Sequence, residues 1–169
     1  MKGAAVRKIV FLGVVLLVLL AACSNPLADA QELTLEGYAT VKAPTDWVCK
    51  LQYEDEILCQ SPDVTQAVLK VMPMADALPG GNLGEVSLGS AAADYWPSNL
   101  ISDSYEMEAI TVGGKPAFQQ CYDTHTGFHC CAIAAGEESA PVFMPYCAPK
   151  DLWRSYNRVF KAMLKAIEF

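Results

Sequence analysis

The sequence contains little positive charge and only two histidines, and it has no internal repeat. There are 12 Lys and Arg residues against 19 Asp and Glu residues, so the formal net charge is -7. Proteins that bind a nucleic-acid backbone neutralise its phosphates with clustered Lys and Arg. No such cluster is present, which excludes nucleic acid as a partner. The hydrophobic share of 53% excludes a disordered chain, and 169 residues are the length of one domain.

The sequence also lacks the common signatures of catalysis. Gly113-Gly114-Lys115 has no upstream glycine of a phosphate-binding loop and is followed by Pro116, so it predicts a hairpin turn. The glycines around Ser87 do not have the spacing of a nucleophile elbow. No Cys-x-x-Cys pair is present, and we expect no activity in an insulin-reduction assay. We therefore predict a protein that is not an enzyme and that needs no cofactor.

The N-terminal segment has the pattern of an export signal. Its basic residues are Lys2, Arg7 and Lys8. The apolar run that follows covers residues 9–22, and these 14 residues are fewer than the roughly 20 that a membrane-spanning helix needs. The run ends in Leu20-Ala21-Ala22-Cys23, which resembles the lipobox of bacterial lipoproteins.

The lipobox resemblance implies that residues 1–22 are a cleaved signal peptide and that Cys23 becomes acylated at the start of the mature chain. An ordinary cleaved signal and a retained single-pass anchor are the alternatives. Ser24 stands where Asp would retain a lipoprotein in the inner membrane, so the resemblance also implies an outer-membrane location facing the periplasm. Residues 23–36 are polar and without periodicity, and we predict that they form a flexible lipidated linker.

The lipid bilayer is therefore the first predicted partner, contacted through the acylated Cys23. Removal of the three basic residues of the signal leaves 9 basic residues against 19 acidic ones, a formal charge of -10 on the mature part. Such a charge repels anionic headgroups, which predicts contact with the bilayer through the acyl chains alone. An envelope protein is the second predicted partner.

Residues 37–169 are predicted to form a single α+β domain. Short apolar runs separated by turn residues predict antiparallel hairpins. Residues 83–100 have a roughly helical spacing of apolar residues, and the prolines of the run from Pro141 to Tyr146 predict an edge strand. Near the C-terminus, apolar residues recur at spacings of three and four and predict an amphipathic helix. The basic residues on its opposite side are Arg154, Arg158, Lys161 and Lys165.

Three local patterns resemble the PsbP/Mog1-like α+β sandwich. They are Pro44-x-x-Trp47, Val112-Gly113-Gly114-Lys115-Pro116-Ala117 and Phe160-x-x-Met163-Leu164-x-x-Ile167-x-Phe169. The resemblance covers residues 38–169 and implies an antiparallel sheet covered by two helices, one of them the amphipathic C-terminal helix. Members of that superfamily are mostly interaction proteins without a recognised catalytic centre, which implies an interaction or scaffolding role. Six domain cysteines depart from the superfamily pattern.

An even number of cysteines in an exported chain favours disulfides. The six candidates are Cys49, Cys59, Cys121, Cys130, Cys131 and Cys147. Cys49 and Cys59 flank a predicted hairpin tip symmetrically, which pairs them. A two-residue loop at His125-Thr126 would place Cys121 opposite Cys130. Cys131 would then point to the other face of the sheet and meet Cys147.

A metal site is the competing interpretation of the same region. Thiol and imidazole side chains that suit zinc or copper(I) are crowded into eleven residues. The candidate ligands are Cys121, His125, His129, Cys130 and Cys131. This set defines the alternative function, a periplasmic metal-binding protein, and a thiol oxidoreductase is a third hypothesis. We predict a membrane-anchored envelope lipoprotein that acts as a non-enzymatic interaction module.

Overall fold

A computed structural model describes residues 25–63, 67–74, 89, 96–137 and 139–169. Within these ranges the chain forms ten β-strands, one α-helix and one short 3-10 helix. The strands are β1 (Ala30–Leu35), β2 (Ala39–Pro44), β3 (Val48–Gln52), β4 (Glu56–Gln60), β5 (Val68–Pro73), β6 (Ile101–Ser104), β7 (Glu108–Val112), β8 (Lys115–Thr124), β9 (Phe128–Glu137) and β10 (Ala140–Pro149). The helices are the 3-10 helix Ser98–Leu100 and the α-helix α1 (Trp153–Lys165).

The strands form two antiparallel sheets. β1 and β2 pair with each other, and the other eight strands form a sheet of order β3-β4-β5-β10-β9-β8-β6, in which β7 also pairs with β8. The pairs β3-β4, β7-β8, β8-β9 and β9-β10 are hairpins of consecutive strands. The longest strands, β8, β9 and β10, lie side by side and form the framework that carries the site described below.

The prediction that residues 141–146 form an edge strand is wrong, because β10 lies between β5 and β9. Cys147 and Cys130 have their Cα atoms 4.1 Å apart, the spacing of a non-hydrogen-bonded pair, so Cys147 directs its peptide N–H toward β5. Pro145 shares this orientation. Pro141 and Pro149 share it too, but they lie beyond the ladder with β5, which runs from Val142 to Cys147. The central strand therefore forgoes one ladder hydrogen bond, at Pro145.

Helix α1 packs across one face of the sheet, as its amphipathic pattern predicts. Phe160, Met163 and Leu164 are buried on the inner side of α1, which contacts β2, β7 and β10. Each fully buried large side chain contributes about 1.5 to 3 kcal/mol. Trp47, which follows the turn after β2, contacts the Phe160 ring edge-on with centroids 5.8 Å apart. The core thus lies between α1 and the inner sheet face.

The expected second helix at residues 83–100 falls mostly outside the described residues. Its described C-terminal part contains a bend at Trp96 and the 3-10 helix Ser98–Leu100. Pro97 has no N–H to donate and disfavours helical geometry at the residue before it. Gly89, the other described residue of this range, is helical. In the described ranges α1 is the one α-helix with both ends described, against ten strands, so these residues show the antiparallel sheet covered by one helix where two were predicted.

Residues 23–36 were predicted to form a flexible linker, but residues 30–35 of this segment form strand β1. The Gln31 side-chain amide donates hydrogen bonds to the carbonyl oxygens of Pro44 and Trp47, at 2.8 and 2.7 Å. Leu35 is buried in the core and Leu33 packs against it. These anchoring contacts are long-range, and the polar composition of the segment gives no sign of them.

The turn at Gly113-Gly114 joins β7 and β8, which confirms the predicted hairpin. Both glycines have positive φ, +54° and +80°. The Gly113 N–H donates to the Leu164 carbonyl oxygen at 3.0 Å, and a Cβ at Gly113 would lie 2.4 Å from the Ile167 carbonyl oxygen. This turn therefore docks the end of α1 and the C-terminus onto the sheet.

Candidate functional site

The six described cysteines form three disulfides. Cys49 and Cys59 lie opposite each other on β3 and β4 and are joined, as the symmetric hairpin predicts. The other two bonds differ from the prediction: Cys121 is joined to Cys131, and Cys130 to Cys147.

The difference is a shift of one residue in the register of β8 and β9. The predicted two-residue loop pairs Cys121 with Cys130, whereas the ladder pairs Cys121 with Cys131 and ends at Asp123 and His129. The loop is longer because the Thr124 hydroxyl accepts a hydrogen bond from the Phe128 N–H at 3.0 Å, and Gly127 adopts a φ of +84°. A slip of one residue exchanges the two faces of a strand. Cys131 therefore faces α1 with Cys121, and Cys130 faces the other side with Cys147.

A buried carboxylate lies at the end of this hairpin. Asp123 is 3% exposed and stands opposite His129 across the β8-β9 ladder. Its Oδ1 lies 2.7 Å from Nδ1 of His129, and its Oδ2 lies 2.7 Å from Nζ of Lys150. The Tyr105 hydroxyl donates a third hydrogen bond to Oδ2 at 3.0 Å. The ends of three strands, β6, β9 and β10, thus place polar groups around the carboxylate at the end of β8.

The environment of Asp123 favours its ionised form. Burial is the largest single influence and raises the pKa of the carboxyl, but hydrogen bonds from Lys150, His129 and Tyr105 outweigh it and lower the pKa below the ordinary value of 3.8. The same contacts act on the partners. The hydrogen bond to Asp123 raises the pKa of Lys150 and that of Tyr105.

The Asp123 contact orients the His129 ring. Because an ionised carboxylate only accepts hydrogen bonds, Nδ1 of His129 carries a proton and Nε2 is free to face the other way. Nε2 lies 3.9 Å from Sγ of Cys131. The Trp153 ring packs edge-on against the imidazole with centroids 4.2 Å apart, and Tyr105 contacts it at 5.4 Å. His129 is half-buried, and the Trp153 and Tyr105 rings both pack against its ring.

A cleft opens between α1 and the sheet beside this ring. Its volume is about 390 Å³, and a smaller cavity of about 210 Å³ adjoins it under Tyr105. The residues that line the cleft include Glu108, Gln119, Cys121, His129, Trp153 and Lys161. Tyr146 donates a hydrogen bond from its hydroxyl to Oε1 of Gln119 at 2.9 Å, and burial and then the Glu108 charge raise the pKa of that hydroxyl. Nε2 of Gln119 lies 3.3 Å from Sγ of Cys121.

The structure brings together three of the five candidate metal ligands. Donor atoms of Cys121, His129 and Cys131 lie within 4.8 Å of one another. Cys130 faces the opposite side of the sheet, and His125 is exposed in the turn after β8. Metals bind the thiolate form of cysteine. Since Cys121 and Cys131 are joined to each other, neither offers a thiolate in this oxidised form.

The first described residues lie next to the C-terminal end of α1. Asn25 and Leu27 line a groove of about 520 Å³ together with Lys42, Ala162 and Lys165. The exposed basic residues of α1 are Arg154, Arg158, Lys161 and Lys165. With 3.6 residues per turn, these four positions fall within an arc of about 60°. The chain thus enters the domain beside a basic stripe, although its formal net charge is -7.

Sequence reasoning overlooked the Asp123 cluster. An Asp and a His six residues apart on the arms of a predicted hairpin can share a face, and this spacing was the available signal. Lys150 and Tyr105 join the cluster from distant parts of the chain, at the end of β10 and after β6, so no local pattern points to them.

The fold and the disulfide-linked strands define an α+β sandwich with an antiparallel sheet. No protein-family model matches the sequence, and no curated protein matches it. Solved structures do match. The solution structure of the cyanobacterial PsbP protein (CyanoP) from Synechocystis sp. PCC 6803 has a TM-score of 0.59 at 11% identity, over 83% of this chain and 92% of its own.

The Saccharomyces cerevisiae Ran-binding protein Mog1p gives a TM-score of 0.53 at 10% identity, over 83% of this chain and 95% of its own. The fold is therefore PsbP/Mog1-like, as the sequence resemblance predicts. Within the described ranges, no helix combines the length and the apolar character needed to cross a membrane.

Proposed function

We propose that this protein is a lipid-anchored accessory protein of the bacterial envelope, and that its PsbP/Mog1-like domain binds an envelope protein without catalysing a reaction. One observation carries the proposal. The lipobox cysteine, Cys23, precedes the first strand of the domain, which begins at Ala30, by only seven positions.

The short tether has a physical consequence. Six residues lie between Cys23 and Ala30, where β1 starts, so the tether is seven Cα-to-Cα steps long. At no more than 3.3 to 3.6 Å per residue, a fully extended tether spans about 25 Å. Acylation would therefore hold the domain against the membrane surface and raise its effective concentration near a partner in the same membrane.

Charge placement supports a particular orientation. Lys165 lines the groove at which the chain enters the domain, and it is the last member of the basic stripe on α1. Each Lys or Arg near an anionic bilayer contributes about 1 kcal/mol of attraction. We propose that α1 lies toward the membrane, so that contact with the bilayer is not limited to the acyl chains.

Metabolic labelling with palmitate in a diderm bacterium tests the anchor. The full chain is expected to take up label and to sediment with membranes, whereas Cys23→Ala should take up none and leave the membrane fraction. Cys49→Ala is the matched control, since it removes a cysteine inside the domain and should keep the label. Labelling of the Cys23→Ala chain would contradict the proposal.

Density-gradient separation of the two membranes tests the sorting. The wild-type chain is expected in the outer-membrane fraction, because Ser24 follows the acylated cysteine. Ser24→Asp should move it to the inner-membrane fraction. A wild-type chain that already resides in the inner membrane would overturn the outer-membrane assignment and leave the anchor itself intact.

The partner is sought by crosslinking in intact cells. The domain is expected to crosslink to one envelope protein in the anchored chain and much less in Cys23→Ala, because untethering removes the membrane confinement. An equal yield from both chains would contradict the role proposed for the anchor.

A further inference from the structure

We infer that the Cys121–Cys131 disulfide is a redox-active site that exchanges with small thiols entering the cleft, with Cys121 as the attacked sulfur and Cys131 as the leaving sulfur beside His129. This inference goes beyond the proposed function and does not depend on the lipid anchor. It rests on the access of the cleft to the Cys121 sulfur and on the His129 imidazole that faces the Cys131 sulfur. It also rests on the absence of such an imidazole at the two other disulfides of the described residues.

Access to the bond is one-sided. Cys121 is half-buried and lines both the 390 Å³ cleft and the adjoining 210 Å³ cavity. Cys131 is fully buried, at 0% exposed. A thiol entering the cleft therefore reaches Sγ of Cys121 first. Gln119 directs its Nε2 at that sulfur from 3.3 Å and lines the same cavities.

The leaving sulfur faces an oriented imidazole. Nε2 of His129 lies 3.9 Å from Sγ of Cys131, and Asp123 binds the opposite ring nitrogen at 2.7 Å. In thiol exchange the rate rises with the stability of the leaving thiolate. From this position Nε2 of His129 can accept the proton of an entering thiol and pass it to the departing Cys131 sulfur, which assists its departure. Asp123 is a positioning residue, since it touches the ring and neither sulfur.

The exchange balances in two steps. A glutathione thiol enters the cleft and gives its proton to Nε2 of His129 as its sulfur attacks Sγ of Cys121. The bond between the two protein sulfurs breaks, the electron pair stays on Cys131, and Cys131 takes that proton from Nε2. A second glutathione, which has lost its proton to water, then attacks the glutathione sulfur of the mixed disulfide, and Cys121 leaves as a thiolate that takes a proton from water. Two glutathione molecules are oxidised to one glutathione disulfide, and the protein disulfide is reduced to two thiols.

The other two disulfides serve as internal controls. Cys130–Cys147 shares strand β9 with Cys131 but lies on the opposite face of the sheet, and Cys49–Cys59 lies in the β3-β4 hairpin. In the part of the chain that the structure describes, no hydrogen bond joins an imidazole to the sulfurs of either bond. They therefore lack the group that passes a proton to a departing sulfur.

The test treats the full chain with reduced glutathione under native conditions, blocks free thiols at timed intervals and maps them by mass spectrometry. Cys121–Cys131 is expected to open first, with glutathione attached to Cys121. His129→Asn keeps a polar group near Asp123 but removes Nε2, and it should slow this opening about tenfold or more. Opening of Cys130–Cys147 should not change.

His125→Asn is the matched control, since this imidazole is exposed in the turn of the same hairpin, and it should open at the wild-type rate. Asp123→Asn should slow the opening of Cys121–Cys131 alone. Glutathione attached to Cys131, equal opening rates for all three bonds, or an unchanged rate in His129→Asn would each overturn the inference. Denaturation midpoints of the variants, measured oxidised, separate loss of the exchange site from loss of the fold.

Discussion

Cys130 and Cys131 are neighbours in sequence, yet their sulfur atoms form disulfides on opposite faces of the sheet. Because side chains alternate along a strand, Cys131 is bonded to β8 on the α1 face and Cys130 to β10 on the other face. The two bonds therefore fasten β9 to both of its neighbours. They make the three longest strands one crosslinked unit that carries the Asp123 cluster.

Removing either of these disulfides is expected to lower the free energy of unfolding by about 3 kcal/mol, because each restricts the unfolded chain by closing a loop. Cys121 and Cys131 are 10 positions apart in sequence, and Cys130 and Cys147 are 17 positions apart. The double variants Cys121→Ala/Cys131→Ala and Cys130→Ala/Cys147→Ala are compared by urea denaturation without reductant. Each should keep the other bond intact in a peptide map. A map that joins Cys121 to Cys130 in the wild-type chain would refute the register.

Replacement of Asp123 by Asn should remove part of the acid sensitivity of the fold. The folded pKa of Asp123 is lowered, so its stabilisation is complete above the ordinary carboxyl pKa of 3.8 and is lost as the pH falls through the folded value. At pH 7 Asp123→Asn should cost about 2 kcal/mol, and below pH 4 this difference should shrink. Urea denaturation across pH measures it. If the free energies of unfolding of Asp123→Asn and the wild-type chain differ by the same amount at every pH, the lowered pKa of Asp123 is contradicted.

Alanine substitution at the β7-β8 turn should lower stability to different extents at its two adjacent glycines. Gly113→Ala introduces a Cβ 2.4 Å from the Ile167 carbonyl oxygen at a φ of +54°, while Gly114→Ala at +80° meets nothing within 4 Å. A positive φ costs about 1 to 2 kcal/mol in both variants. Gly113→Ala should lose more stability, because the C-terminus must also shift. Thermal denaturation compares the stability of the two variants. Equal losses of stability would contradict the prediction, because they would mean that moving the C-terminus away from the new Cβ costs no free energy.

Charge reversal on α1 tests the proposed orientation at the membrane. On vesicles with anionic lipid, α1 of the acylated wild-type chain should gain more hydrogen-exchange protection than on neutral vesicles, and Lys165→Glu should reduce this extra protection. Lys50→Glu, an equal charge change on the exposed side of β3, should leave that protection in place. The expected loss of attraction is about 1 to 2 kcal/mol. Equal protection of the wild-type chain on both vesicle types would argue against the orientation.

Several elements follow from local sequence. The spacing of Phe160, Met163 and Leu164 predicts α1 and its buried side, because apolar residues that recur about every 3.6 positions lie on one side of an α-helix. The Gly113-Gly114 turn and the Cys49–Cys59 hairpin are equally local. The linker was mispredicted because Gln31 and Leu35 are anchored by residues far along the chain, which composition does not report.

The sequence alone could not predict the central position of β10 or the pairing of the last four cysteines, because both depend on the order and register of strands in the assembled sheet. Prolines in a strand predict an edge position because each proline lacks an N–H. Only the tertiary structure determines that, of the three prolines in β10, Pro145 alone lies within the ladder with β5. The register of β8 and β9 depends on hydrogen bonds within the Thr124 turn, and a single-residue shift changes every partner.

The amino-acid sequence by itself determined the resemblance of residues 20–23 to a lipobox, the acidic charge, the cysteine content, the amphipathic helix and the PsbP/Mog1-like pattern, because each is a property of neighbouring residues or of composition. The tertiary structure alone decided which cysteines are joined, that Asp123 is buried among His129, Lys150 and Tyr105, and that His129 faces the sulfur of Cys131. These relationships depend on strand order and register, and a difference of one residue in a turn is enough to change them.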